Sequence, residues 1–171
     1  MTVLVDHQIE HLCLTVQMVT PYNPALLNPA SLDVRLGDTL LIERAGDPAL
    51  VPYPLRHHSE ADPYRWQPGQ FCLAPTMETF NMPDTVAGEF RLKSSRAREG
   101  MDQALAVWLD PGWHGSVLTL ELRNNRQLHW LPLWPGMKIG QIVFHPCEAP
   151  RRSYAVTGRY CNDKTVQESK G

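Results

Sequence analysis

Glu121 lies in GSVLTLELRNN, residues 115 to 125, where strand alternation places Leu118, Leu120 and Leu122 on one face and Val117, Thr119, Glu121 and Arg123 on the other. A carboxylate opposite a leucine layer is either a solvated strand residue or a group aimed into a cleft and able to move a proton. The segment alone is compatible with both. Upstream, FRLKSSRAREG, residues 90 to 100, gathers Arg91, Lys93, Arg96 and Arg98 around the hydroxyls of Ser94 and Ser95. Charge runs often only decorate a surface. Hydroxyl, backbone N–H and guanidinium donors in one short loop are, however, the inventory that phosphate oxygens ask for. Gly100 permits the tight turn with which such a loop wraps a ligand. DPGWHG, residues 110 to 115, reads as a turn in which Asp110 either bonds its own backbone or accepts a hydrogen bond from a sugar hydroxyl.

Metal-ligating patterns are incomplete. His58-Ser59-Glu60 imitates the H-x-E half of a zinc deaminase and Pro146-Cys147 begins the P-C-x-x-C half, but Pro150 stands where the second cysteine is needed. His57 and His58 therefore read as loop histidines, and the other histidines lack ligand spacing.

The elements that must position these groups read as strands. A chain of 171 residues fits one domain, of a size that buries roughly 70% of its unfolded surface. From Ser31 onward short strands alternate with Pro/Gly turns: LDVRLG, TLLIER, GQFCLAP, VAGEFRL, ALAVWL, GSVLTLELR and KIGQIVF. Fifteen prolines and eleven glycines at that spacing fit an all-β sandwich or barrel. One helix is expected near the N-terminus, capped by Asp6, with Ile9, Leu12 and Cys13 on one face. Residues 45 to 65 lack periodicity and read as a surface excursion from a single domain spanning 1 to 150. The polar tail, 151 to 171, is expected to be either a disordered end or a flap that orders over something.

A net charge of −2 argues against a nucleic-acid or anionic-membrane binder that works by bulk electrostatics, so the basic cluster is a local device for a small anion. Cys13, Cys72, Cys147 and Cys161 are scattered, and no secretory leader is evident, which points to free thiols in a reducing, cytoplasmic setting. No apolar run approaches the length of a membrane span.

Taken together, NPASLDVRLG (28–37), PGQFCLAPTMETFNMP (68–83), KSSRAREG (93–100), DPGWHG (110–115), LTLELRN (118–124), PGMKIGQIVF (135–144) and GRY (158–160) resemble the dCTP deaminase family, a branch of the trimeric dUTPase superfamily. The segments occur in the family's order and cover most of the chain outside residues 45 to 65. The resemblance implies a distorted β-jelly-roll subunit, a homotrimer with active sites at subunit interfaces, and zinc-independent deamination of dCTP to dUTP and ammonia, with Mg²⁺ carried by the triphosphate. By the same resemblance Glu121 shuttles a proton, Ser94 and Arg98 position water and bind phosphate, and Lys93, Ser95 and Arg96 share the phosphate loop. Asp110 would lie beneath the deoxyribose, Thr119 and Leu120 in the base-reading strand, and Tyr154 and Arg159 in a closing tail, where Asp163 or Asn162 replaces the usual glutamine.

The chain departs from the family's pattern in places. Lys93 stands for the arginine of the R-S-S motif, exchanging a bidentate fork for a point charge. Arg98 to Asp110 is one residue short and Gly115 to Glu121 one long, so the carbonyl near Ala104 to Ala106 that would hold the water is ambiguous. Gln103 and Glu99 fall where other residue types are expected. A bifunctional deaminase/dUTP pyrophosphatase, or a dUTPase-like enzyme in which Asp110 activates water at the α-phosphate, is the nearest alternative. A non-catalytic nucleotide-binding regulator and an enzyme of altered base or phosphate specificity are the others.

Overall fold

A computed structural model describes residues 2–171. In chain order the strands are β1 (Val19–Thr20), β2 (Leu27–Asn28), β3 (Ser31–Arg35), β4 (Thr39–Ile42), β5 (Val51–Pro54), β6 (Tyr64–Trp66), β7 (Phe71–Asn81), β8 (Val86–Leu92), β9 (Met101–Gln103), β10 (Trp108–Leu109), β11 (His114–Asn124), β12 (Leu131–Leu133) and β13 (Lys138–Pro146). Helices are α1 (Asp6–Thr15), α2 (Ser94–Glu99) and α3 (Tyr154–Thr157).

Alternation along β11 sets the architecture. Leu118, Leu120 and Leu122 are buried while Arg123 is exposed, so one face of the strand is core and the other is free for chemistry. β11 pairs antiparallel with β7, Glu121 opposite Leu73, within a sheet ordered β5-β4-β7-β11-β9 that β1 joins through β7. A second sheet, β10-β8-β13-β3-β2, contributes Phe90, Ile142 and Phe144 to the same hydrophobic cluster as Leu120 and Phe80 of the first. The result is an all-β, distorted jelly-roll of two main sheets and the short pair β6-β12 around one core, with few helices.

Several expectations need correction. Val5, not Asp6, occupies the N-cap of α1, and Asp6 Oδ1 instead accepts from the His7 N–H at 2.7 Å. Ile9 and Cys13 are buried and Leu12 packs beside them, as periodicity predicts. The KSSRAREG segment is not a loop: residues 94 to 99 form α2, which Gly100 ends in the left-handed region at φ 101°. ALAVWL is mostly not strand, because the Ala104 N–H donates to the Glu121 carbonyl and the Ala106 N–H to that of Ala104, turning the chain between β9 and β10.

Residues 45 to 65 are more ordered than their composition suggests. β5 pairs with β4, and β6 with β12, while Leu55 and Trp66 are fully buried. Pro52 and Pro54 are tolerated because β5 is a sheet edge, where a missing ladder donor costs little.

The tail is ordered against β11. The Asn162 N–H donates to the His114 carbonyl, the Val117 N–H to that of Asp163, and Trp113 Nε1 to that of Tyr160.

Candidate active site

The free face of β11 lines a cavity of about 720 Å³, within the range of nucleotide-sized pockets. Glu121 and Thr119 project into it from the strand, Asp110 and Trp113 from the turn before β11, and Tyr154, Tyr160, Asp163 and Gln167 from the tail. Pro48, Ala49 and Leu50 close one side, so the segment from 45 to 65 supplies part of the wall. Trp108, half-exposed at another edge, stacks on His145 with ring centroids 6.0 Å apart.

Each polar group is held from a distinct element. Glu121 Oε2 accepts from Gln103 Nε2 at 3.2 Å. Burial pushes the Glu121 carboxyl above the usual glutamate value, and its own backbone N–H and Gln103 offset part of that rise. Thr119 Oγ1 accepts from the Gln167 N–H at 3.2 Å. Asp163 is tied to Lys170 Nζ through both carboxylate oxygens at 2.8 Å. Burial raises the Tyr154 phenol above its ordinary value.

Asp110 depends on the turn that follows it. The Trp113 N–H donates to its carbonyl at 3.1 Å, and Gly112 has φ 85°, with a would-be Cβ facing Ser153 Oγ and Asp84 Oδ1. Register shifts between His114 and Ser116 and between Val117 and Thr119 lie in the interval that is one residue long. Bulges absorb extra residues in this way and re-aim side chains.

The basic cluster lies elsewhere in the subunit. Lys93, Ser95 and Arg96 line a separate depression with Trp134, Met137 and Lys138, and neither they nor Ser94 and Arg98 reach the Glu121 cavity. Much of their charge is already engaged. Lys93 Nζ sits 2.7 Å from buried Asp33, Arg96 pairs with Glu99 at 2.8 Å and Arg91 with Glu89 at 2.7 Å. Arg98 is exposed and, among the described residues, carries no ion pair. Leu120 turns its side chain into the core at 1% exposure, so only its backbone can face a base. Arg159 is exposed and outside the cavity lining.

The sequence did not single out Gln103 as a partner of Glu121, nor Gln167 and Tyr160 as cavity residues. The available signals were a polar residue at position 103 and the place of Tyr160 in GRY. Among the described residues no group of three or more His, Cys, Asp or Glu side chains is arranged to hold a metal ion, and no helix is long and apolar enough to cross a membrane.

Residues 3–147 match the dCTP deaminase-like family. The chain belongs to that family. Among curated members, the "dCTP deaminase, dUMP-forming" of Corynebacterium efficiens is 34% identical over 166 residues, covering 90% of this chain and 85% of its own. That of Acidothermus cellulolyticus is 38% identical over 155 residues, covering 83% and 80%. The crystal structure of a family member, 2′-deoxycytidine 5′-triphosphate deaminase from Agrobacterium tumefaciens, superposes with a TM-score of 0.68 at 21% identity, over 84% of this chain and 47% of that one. The likeness to that structure is one of fold, and this chain spans about half its length. The family match stops short of the tail, although the tail forms one wall of the cavity.

Proposed function

We propose that this protein deaminates the cytosine ring of dCTP, with Glu121 as the group that moves the proton. The observation that carries this reading is a half-buried carboxylate with a raised pKa on the free face of β11, inside a nucleotide-sized cavity. Deamination adds water at C4, protonates N3 and expels ammonia. A carboxylate that first takes the proton of water and then returns it to the base serves as base and acid in turn, a role worth roughly 10² to 10⁴ in rate. Burial suits it by bringing the proton affinity closer to neutral pH. This assigns proton transfer to a side chain rather than to a zinc-bound water.

The cavity's titratable lining is Asp110, Glu121, Tyr154, Tyr160, Asp163 and Glu168, with no Lys, Arg or His. A triphosphate with its Mg²⁺ requires cationic side chains that this wall lacks. Arg98 and Ser94, exposed and remote from Glu121 within the subunit, supply what is missing if they come from a second copy, which supports a homotrimer with interfacial sites. Lys93 and Arg96, held by Asp33 and Glu99, would then shape the segment around α2 more than grip the phosphates. The tail would act as a lid. Unpaired thiols at Cys13, Cys72, Cys147 and Cys161 support a reducing, cytoplasmic setting.

dUTP and ammonia are the immediate products of this step. A second reading, in which the same site goes on to release dUMP and pyrophosphate, is favoured by Asp110 sharing the cavity with Glu121 and by the names of the relatives. Incubating cytosine and uracil nucleotides with protein and Mg²⁺, while assaying ammonia and pyrophosphate separately, tests both. Ammonia from dCTP, lost in Glu121→Gln while dCTP binding persists, is the expected result; undiminished ammonia release by that variant would falsify the assignment. Pyrophosphate from dCTP or dUTP would establish the second step.

A further inference from the structure

Glu121 has a partner within its own subunit that the proton-transfer scheme leaves unused. Gln103, 8% exposed, ends β9 opposite Leu122, and its Nε2 donates to Glu121 Oε2. Its backbone is pinned on both sides: the Gln103 N–H donates to Asp102 Oδ1 at 2.9 Å, and the following Ala104 N–H donates to the Glu121 carbonyl at 2.9 Å. Residues 103 and 104 thus hold Glu121 by one side-chain and one main-chain bond. Among the described residues Gln103 is the one side chain hydrogen-bonded to the Glu121 carboxyl.

The other groups around that carboxyl are of a different kind. Leu73 faces it from β7, Thr119 lies beside it on β11, and Asp110, Tyr154, Tyr160, Asp163 and Glu168 share its cavity from the turn and the tail. Three of these are carboxyl groups, and Asp163 already holds Lys170. The Gln167 N–H is spent on Thr119.

We propose that Gln103 is a positioning residue for Glu121: its amide fixes Oε2 as a hydrogen-bond acceptor, so that Oε1 is the oxygen that takes and returns the proton. An amide nitrogen only donates, and the oxygen it meets cannot simultaneously present a proton toward it. The proposal rests on the deaminase reading of the site. It also gives the polar residue at position 103 a purpose. The same bond favours the ionised carboxyl and opposes the effect of burial.

The test is Gln103→Met, which keeps the side chain's length and removes its donor. In the parent, kcat/KM for dCTP falls at low pH as Glu121 protonates. In the variant this acid limb moves up by roughly one pH unit, so kcat/KM falls by up to about 10-fold on the acid limb while KM at pH 8 is unchanged. A ¹³C carboxyl titration of Glu121, assigned by its absence in Glu121→Gln, reads the same upward movement without turnover. Gln103→Leu, equally unable to donate, repeats the titration if the methionine packs poorly. An active parent whose acid limb and carboxyl titration both stay in place in these variants overturns the proposal. A parent that releases no ammonia, yet whose Glu121 titration moves upward in the variant, keeps the positioning bond and overturns the deaminase reading instead.

Discussion

Lys170 Nζ lies 2.8 Å from both carboxylate oxygens of Asp163 and 5.0 Å from the centroid of the Tyr160 ring. Three tail residues are thereby clasped together beside the cavity, and Asp163 passes the constraint to β11 through its carbonyl bond to the Val117 N–H. Both charges are partly shielded, the Asp163 side chain at 15% exposure and that of Lys170 at 34%, which makes the pair stronger than an ordinary surface bridge.

Lys170→Met is therefore expected to loosen the tail. A loss near 1 kcal/mol corresponds to amide exchange about 5-fold faster at Val117 and Gln167, read by hydrogen–deuterium exchange. Unchanged protection at both amides would show that the tail docks without the clasp.

Glu121→Gln should stabilise the fold while removing activity. A carboxyl whose folded pKa is raised favours the folded state below its unfolded pKa, and that contribution is lost as pH rises through the folded value. At pH 7 the parent thus holds a partly desolvated charge that the variant lacks. Tm should rise by about 2–4 °C at pH 7, with the difference vanishing near pH 4. A variant less stable than the parent at neutral pH would mean that the ionised carboxylate is well compensated.

Arg98→Ala and Glu121→Gln, each inactive alone, should complement when co-expressed. If each site draws Glu121 from one copy and Arg98 from the next, about a quarter of all sites are intact in randomly mixed oligomers. Recovered ammonia release at that level supports interfacial sites; none at all, in mixed oligomers verified by mass, would place both residues in separate roles.

Asp33 carries the opposite pH signature to Glu121. Burial alone would raise its carboxyl, but hydrogen bonds from Lys93 and Asn28 and the nearby Lys138 outweigh it and hold the pKa below the ordinary aspartate value of 3.8. Its stabilisation is present above that value and is lost as pH falls through the depressed one. Asp33→Asn should cost about 1–3 kcal/mol at pH 7 and flatten the acid side of the stability profile. Urea unfolding between pH 3 and 7 measures both; a variant that loses stability equally at all pH values would assign the cost to packing.

Much of this was readable from residue order. Period-two alternation located β11 and turned Glu121 away from Leu118, Leu120 and Leu122 because the strand is buried on one face only. It could not locate β5 or β6, whose stability comes from pairing with β4 and β12 and from burying Leu55 and Trp66, contacts distant along the chain. Nor could it see that Ser94 to Glu99 wind into a helix. Five of those six residues, all but Ala97, are polar or charged, and no apolar stripe marks the turn. Gln103 was conspicuous only as an oddity, since its meaning depends on β9 lying against β11 at Leu122.

β9 covers only the far end of β11, at residues 122 to 124, and the tail occupies the stretch beyond it through Asn162, Asp163 and Gln167. Asn162 and Asp163, through main-chain bonds to His114 and Val117, therefore act as a makeshift neighbouring strand. Cutting the chain after Cys147 would strip that cover and leave main-chain donors and acceptors exposed along an apolar ribbon, the template on which sheets of separate molecules join. Such a truncated protein should clump in solution, a fate quite apart from any loss of turnover.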